Sequence, residues 1–98
     1  MTTMTSDEHY VYLMTNQFNT VLFLGRTNDL RQRLKEHRVK RSTGPAQKNR
    51  INKLVYFERF TTGLDARTRE NQIKSGSRRK KEALISSANP NWLNLSLE

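Results

Sequence analysis

The stretch GRTNDLRQRLKEH, residues 25–37, joins a glycine, a turn of helix-capping residues and a basic helical segment without a gap. The side chains of Thr-Asn-Asp, residues 27–29, can accept hydrogen bonds from the unpaired amides at a helix start, so the sequence predicts that a helix begins there. Arg33 and His37 stand four residues apart and should project together from one face of that helix. They are either the exposed flank of a surface helix or part of a functional site.

The composition predicts one small domain held together by its hydrophobic core. The chain has 98 residues, of which 34% are hydrophobic and 28% charged, and it contains no cysteine. This excludes a disulfide framework and a thiolate zinc site, and His9 and His37 are too far apart in sequence to suggest a metal cage. No apolar run approaches the roughly 20 residues of a membrane span, and the N-terminus does not resemble a signal peptide. We therefore expect a cytoplasmic protein.

The distribution of charge points to a polyanionic partner. All 18 lysines and arginines lie between Arg26 and Lys81, and the formal net charge is +9. Nucleic acid is the favoured partner, because the basic segments lack the aromatic and leucine face that anchors a helix in a membrane surface. A basic surface facing only solvent is the alternative, and the sequence assigns no oligomeric state. The candidate nucleic-acid contacts are Arg26, Arg31, Lys40, Arg41, Lys48, Arg50, Arg78, Arg79, Lys80 and Lys81.

Three segments have the composition of β-strands. YVYLM, residues 10–14, and TVLFLG, residues 20–25, flank a turn and predict a hairpin, in which Gly25 ends the second strand where the chain bends into the helix. LVYFERF, residues 54–60, predicts a third strand that crosses the middle of the sheet. Strict alternation would put Leu54 and Tyr56 on the same face of that strand.

The predicted first helix leads into a long basic loop, residues 39–52. That loop is interpreted either as a flap that contacts phosphates or as a disordered excursion.

Two further helices follow the third strand. Thr62 and Ser77 are the predicted N-caps, and the run of four basic residues after Ser77 opposes the helix dipole, which favours a phosphate-binding role. Glu70 lies on the otherwise apolar face of the second helix, where it either forms an ion pair with Arg67 or Lys74 or has a functional role. Trp92 and Leu95 are expected to fold back onto the core.

Together these elements predict an α/β (α+β) fold. A small three-stranded mixed or antiparallel sheet is flanked by helices, in the order β-β-α-β-α-α. Residues 1–8 are interpreted as a flexible tail and residues 9–95 as the single domain.

The order of these elements and their motifs resembles the GIY-YIG nuclease superfamily, especially its short single-domain bacterial branch. The resemblance runs from residue 9 to about residue 95 and rests on YVYLMTN, FLG, TNDLRQRLKEH and RENQIKSGSRRKKEALI. It implies that Tyr12 is the first motif tyrosine, Arg33 the phosphate-binding arginine, His37 the helix histidine and Glu70 the metal-binding glutamate. All four would be catalytic residues.

The resemblance also implies the chemistry of phosphodiester hydrolysis. A divalent ion, Mg²⁺ or Mn²⁺, would be bound by Glu70, and an oxygen-only ligand suits such an ion. Arg33 would contact two phosphate oxygens, and a tyrosine or histidine would move the protons. Phe23 stands where a tyrosine is expected, so one hydroxyl is missing. The other departures from the pattern are Tyr10 in place of a glycine, and Asn71 and Gly76 where a lysine and a tryptophan are expected.

The sequence leaves three functions open. The first is a DNA-binding protein with the GIY-YIG endonuclease fold that acts as a weak Mg²⁺-dependent endonuclease on branched or single-stranded DNA. The second is a nucleic-acid-binding module that lost its chemistry with the Phe23 hydroxyl. The third is an RNA- or ribosome-associated basic protein, which ranks last because no RNA-binding aromatic platform is visible.

Overall fold

The computed structural model describes residues 8–40 and 51–95. Its strands are β1 (His9–Thr15), β2 (Leu22–Thr27) and β3 (Lys53–Phe60), and its helices are α1 (Leu30–Lys40), α2 (Gly63–Lys74) and α3 (Arg78–Ala88). The strands form one antiparallel sheet. This confirms the predicted fold class and element order. No helix in these two ranges combines the length and the apolar character needed to cross a membrane.

The middle of the sheet is occupied by β1, because the strand order is β2-β1-β3. The prediction that the third strand is central is therefore wrong. Residues 11–14 of β1 are at most 1% exposed, since neighbouring strands pair with both edges and helices cover both faces. By contrast, β3 carries the exposed Arg59 and the half-buried Glu58, as expected of an edge strand.

Helices cover both faces of the sheet and divide the core into parts. Tyr12, Met14 and Leu54 pack with Leu30 and Leu34 of α1. The opposite face carries the two remaining clusters, beneath α2 and α3. One consists of Val11, Ala66 and Ile73, and the other of Leu13, Val55 and Ile85.

A register shift interrupts the alternation of β3. Met14 pairs with Leu54, but the preceding Leu13 pairs with Tyr56, so Val55 is an extra residue. Leu54 consequently packs on the α1 face while Tyr56 packs on the face under α3. The prediction that Leu54 and Tyr56 share a face is wrong for this reason.

Side-chain caps fix the start of each helix. The Asp29 carboxylate accepts a hydrogen bond from the Gln32 amide at 3.1 Å before α1. The Thr62 and Ser77 hydroxyls accept from amides three residues later, also at 3.1 Å, before α2 and α3. These contacts confirm all three predicted helix starts.

The end of α1 corrects one predicted boundary. The helix continues through Lys40, so the predicted loop begins later than residue 39. Most of the predicted flap, with Arg41, Lys48 and Arg50, lies outside the described residues.

The C-terminal segment folds back onto the sheet, as predicted. The Leu95 amide donates to the Leu54 carbonyl at 2.7 Å, and the Leu95 side chain packs on the α1 face. Trp92 instead packs with Leu13, Val55 and Ile85 on the other face. The two residues thus seal different parts of the core.

Gly25 is required by a contact across the sheet and not by a bend. The residue lies inside β2, directly opposite Tyr12 of β1. A Cβ atom placed on Gly25 would overlap the Tyr12 hydroxyl and would lie 2.5 Å from the Tyr12 Cζ atom. The prediction that Gly25 ends the strand is therefore wrong, and the missing side chain instead makes room for the Tyr12 ring.

Replacing Gly25 with alanine should destabilise the fold. We expect Gly25→Ala to lower the free energy of unfolding by about 1–3 kcal/mol, because the ring must leave its position or the strands must separate. Urea denaturation measures this change. Gly76→Ala is the matched control, since a Cβ there meets nothing closer than 3.4 Å. Equal stability of the two variants would contradict the proposed role of Gly25.

Candidate active site

Three rings from different elements meet on the α1 face of the sheet. Tyr12 belongs to β1, Phe23 to β2 and His37 to α1. The Phe23 and His37 ring centroids are 5.0 Å apart, and the rings meet edge to face. The Tyr12 ring centroid lies 6.3 Å from the His37 centroid and 6.1 Å from the Phe23 centroid. His37 is half-buried with a buried Nε2 atom, so the interpretation of this residue as an exposed helix flank is wrong.

The Tyr12 hydroxyl is buried at the centre of this region. Within the described residues it makes no hydrogen bond of ordinary geometry, although the Arg33 guanidinium is close enough to act on it. Burial raises the pKa of Tyr12, and the charges of Glu36 and Glu70 act in the same direction, whereas Arg33 lowers it. The net shift is upward, so the phenol is protonated at neutral pH.

Arg33 lies at the solvent-facing side of the same region. Its Nε atom is 3.4 Å from Glu36 on the next turn of α1, and both side chains are nearly half exposed. An exposed ion pair of this kind contributes little to stability. The guanidinium can therefore exchange Glu36 for another anion at low cost.

Glu70 reaches the region from the opposite side of the sheet. Its Oε1 atom accepts a hydrogen bond from Nε of Arg26 at 2.9 Å, and its side chain is 24% exposed. The predicted ion-pair partners of Glu70 were Arg67 and Lys74, but the observed partner is Arg26. Successive residues of a strand point to opposite faces, so Gly25 faces Tyr12 and Arg26 projects toward α2. Arg26 follows Gly25 in β2, so its ion pair holds the Glu70 carboxylate at the same edge strand that Tyr12 faces.

The donor set around Glu70 fits a divalent ion only in part. No group of three or more histidine, aspartate or glutamate side chains that could enclose a metal occurs in the described ranges. Mg²⁺ is often held by one or two carboxylates together with water and substrate phosphates. Glu70 fits that pattern, provided that a bound phosphate supplies further oxygen ligands.

The predicted nucleic-acid contacts that the structure describes lie on different elements. Arg31 lies on α1, and Arg26 is tied to Glu70. The basic run of α3 lies beside the turn between β1 and β2, because Arg78 donates to the Asn19 carbonyl at 3.3 Å. Arg79 and Lys80 are exposed there, whereas the Lys40 side chain lies outside the described part of the structure.

A basic cavity that sequence reasoning missed lies between α2 and α3. Its cationic lining includes Arg69 together with Lys80 and Lys81. Arg69 also donates to both oxygens of Glu58, at 2.9 and 3.0 Å. Burial alone would raise the pKa of Glu58, but the hydrogen bonds from Arg69 and Tyr56 outweigh it and lower that pKa. Arg69 therefore has a structural partner on β3, which only the three-dimensional fold reveals.

Comparison with known proteins agrees with this architecture. The family model described as the GIY-YIG catalytic domain matches residues 8–83. The chain belongs to the GIY-YIG family. A UPF0213 protein of Haloquadratum walsbyi is 35% identical over 79 residues, covering 81% of this chain and 88% of that protein. A UPF0213 protein of Clostridium perfringens is 38% identical over 85 residues, covering 81% and 84%.

A solved structure resembles the same fold. It is the solution NMR structure of a UPF0213 protein from Bacillus halodurans, which matches with a TM-score of 0.58 and 29% sequence identity over 89% of this chain and 92% of that one. Membership of the GIY-YIG family implies a nuclease-type fold and interaction with nucleic acid. The names of the UPF0213 relatives specify neither an activity nor a substrate.

The buried phenol should titrate above pH 10. In a spectrophotometric titration, the Tyr12→Phe variant lacks the absorbance change that comes from Tyr12. We expect that missing component to have its midpoint above the ordinary tyrosine pKa of 10.0. Because the pKa of Tyr12 is higher in the folded than in the unfolded chain, ionisation of this residue leaves the free energy of unfolding unchanged below about pH 10. Above that pH the free energy of unfolding should fall as pH rises toward the folded-state pKa.

Circular dichroism at each pH verifies that the chain is still folded during this titration. Tyr56→Phe is the control, and it should remove a separate component with a midpoint near 12. A Tyr12 midpoint at or below 10 would show that the phenol is not buried as described.

Proposed function

We propose that this protein is a DNA-binding GIY-YIG endonuclease that hydrolyses phosphodiester bonds with Mg²⁺ or Mn²⁺. The observation that carries the proposal is the convergence of Tyr12, Arg33 and His37 on the α1 face, with Glu70 held by Arg26 at the adjoining edge strand β2. These are the residue types that bind a phosphate, hold a hard cation and move a proton. The proposed substrate is branched or single-stranded DNA.

Each residue has a distinct proposed role. Arg33 binds the scissile phosphate through two oxygens, for which it gives up its weak ion pair with Glu36. His37 accepts the proton of the attacking water, because imidazole exchanges protons readily near neutral pH. Tyr12 is protonated and therefore orients the phosphate or the water as a hydrogen-bond donor.

Phe23 is consistent with this assignment of the proton transfer. Its ring carries no hydroxyl, and the group packed edge-on against it is the His37 imidazole at 5.0 Å. Because residue 23 has no hydroxyl to accept a proton, His37 can accept that proton instead. The chemistry therefore has a proton acceptor without a second motif tyrosine.

Glu70 is the proposed metal ligand. When bound there, a divalent ion would neutralise charge on the phosphate and polarise its oxygens. The ion pair involves Oε1 of Glu70, so the ion could bind through Oε2 without displacing Arg26, and a bound phosphate is an anion to which the Arg26 guanidinium could transfer. Glu70 would then bind the metal ion, and Arg26 would bind the phosphate beside it.

The edge of the sheet offers a path for the DNA backbone. Phe23 and Arg26 belong to β2, which is an edge strand, and the basic N-terminus of α3 lies beside the turn that precedes it. A strand of DNA along β2 would meet Arg33 and His37 at one point and Arg79 and Lys80 at another. Phosphate contacts of this type position a nucleic acid without reading its sequence.

Cleavage assays test the enzymatic proposal. Labelled branched, single-stranded and duplex DNA should be cut by the wild type with Mg²⁺ or Mn²⁺. Glu70→Gln should abolish cleavage, and Arg33→Ala should slow it by about 10²–10³-fold, the usual effect of removing one charge-stabilising donor. Phe23→Tyr should retain or increase the rate.

Two controls carry the same chemical changes away from the candidate active site. Glu82→Gln removes a carboxylate from α3 that is paired with Arg78, and Arg67→Ala removes an exposed arginine from α2. Both variants should cut DNA at the wild-type rate. Cleavage that persists in Glu70→Gln would refute the metal-ligand assignment.

A nucleic-acid-binding module without catalysis is the second candidate. The observation that favours it is the missing hydroxyl at Phe23, the position where a tyrosine is expected. This alternative is distinguished by a wild type that binds DNA and cuts none of the substrates under any metal condition. If Phe23→Tyr then restores cleavage, the chain is a GIY-YIG nuclease disarmed at that position.

Binding should depend on salt through the α3 cations. We expect Arg79→Ala and Lys80→Ala each to weaken binding of all DNA sequences equally and to reduce the slope of log affinity against log salt by about one. Fluorescence anisotropy over a range of salt concentrations measures the slope. An unchanged slope in the double variant would place the DNA away from α3.

A further inference from the structure

A second concave site lies between the start of α1 and the β3 edge of the sheet. It has a volume of about 510 Å³, and its walls include Tyr10, Phe57 and the first residues of α1. The Tyr12, Phe23 and His37 side chains do not line it. The cavity is thus distinct from the candidate active site, although both lie on the α1 face.

One wall of the cavity is aromatic. Tyr10 and Phe57 are half-buried, and their rings meet edge to face with centroids 6.2 Å apart. Both side chains also pack against the core beneath α1, which fixes their orientation. Rigid aromatic side chains that remain partly accessible are the usual stacking surface for an unpaired base.

The polar lining has balanced charge. It consists of two carboxylates, Glu8 and Asp29, and two guanidiniums, Arg31 and Arg59, together with the Asn28 amide. The formal charges cancel, so the site does not select a bare phosphate. A nucleobase is neutral and aromatic and carries both donors and acceptors, which matches carboxylates, guanidiniums and an amide placed beside two rings.

Existing contacts hold this polar lining in place. The Tyr10 hydroxyl donates to Glu8 at 2.8 Å, and Arg59 donates to the other Glu8 oxygen at 3.0 Å. The Asp29 carboxylate is held by the Gln32 amide. A ligand would therefore meet Tyr10, Glu8 and Asp29 groups that are already oriented, which lowers the entropic cost of binding.

The cavity lies next to the candidate active site along the central strand. Tyr10 and Tyr12 project from the same face of β1 two residues apart, which is about 7 Å along a strand. A nucleic acid with its scissile phosphate at Arg33 would thus bring a neighbouring nucleotide within reach of Tyr10. Only a nucleotide that is not base-paired can place its base in a cavity.

We propose that this cavity binds one unpaired nucleobase beside the scissile phosphate, stacked on one of the Tyr10 and Phe57 rings and in edge contact with the other. This subsite rests on the proposed function, and it supplies a physical basis for preferring branched or single-stranded DNA over a continuous duplex.

The first test detects the base directly. Isotope-labelled protein is titrated with deoxyadenosine monophosphate, ribose 5-phosphate or inorganic phosphate while backbone amide resonances are recorded. The nucleotide should shift the resonances of Tyr10, Asn28 and Phe57 saturably, and the two probes without a base should not. Equal shifts with ribose 5-phosphate, or nucleotide shifts confined to other residues, would overturn the proposal.

The second test separates this subsite from DNA binding as a whole. Phe57→Leu keeps an apolar side chain but removes the ring, so affinity for a single-stranded oligonucleotide should fall about tenfold while affinity for blunt duplex stays unchanged. Phe60→Leu makes the same change on the same strand but against Val11 and Ala66 on the opposite face, and it should leave both affinities unchanged.

A further variant guards against misfolding of Phe57→Leu. Arg59→Gln alters an exposed side chain and should also weaken single-strand binding relative to duplex. Unchanged single-strand affinity in both Phe57→Leu and Arg59→Gln, with duplex binding intact, would overturn the subsite and leave the proposed function standing. Absence of binding to any DNA by the wild type would overturn both.

Discussion

The Tyr12 ring lies against the backbone of Gly25, and the candidate site depends on this contact between the central strand and its edge neighbour. A glycine at residue 25 lets the phenol extend toward β2, where the Phe23 and His37 rings and the Arg33 guanidinium surround it. Any larger residue would force either the ring out of that position or the two strands apart. Burying the hydroxyl there without an ordinary hydrogen-bond partner among the described residues costs about 1–3 kcal/mol, which the packing around the ring must offset.

Two successive residues of β2 connect the opposite faces of the sheet. Gly25 faces Tyr12 and α1, while Arg26 faces Glu70 and α2. Groups from the two faces of a three-stranded sheet can approach each other only around an edge, and β2 is an edge strand. The central position of β1 is what leaves β2 at that edge. The strand order therefore determines that α1 and α2 can contribute to one site.

Local features of the fold could be predicted from the sequence, and non-local ones could not. Helix starts depend on caps within three residues, so Asp29, Thr62 and Ser77 were identified correctly. The partner of Glu70 is 44 residues away, and helical spacing suggested only Arg67 and Lys74. The reason for Gly25 and the bulge at Val55 likewise depend on the register between strands. The candidate site residues were named through the family motif, and their convergence required the fold.

The ion pair between Arg26 and Glu70 does not argue strongly against metal binding. The Arg26 side chain is 39% exposed and that of Glu70 is 24% exposed, and pairs this accessible contribute only about 0–1 kcal/mol. A divalent ion at the carboxylate and a phosphate at the guanidinium would replace one weak interaction with two charge-assisted ones. The pair instead keeps two charged groups close together without fixing them. Such an arrangement would let Glu70 bind a divalent ion through Oε2 while Arg26 is still nearby, and would let Arg26 transfer to a phosphate once one is bound.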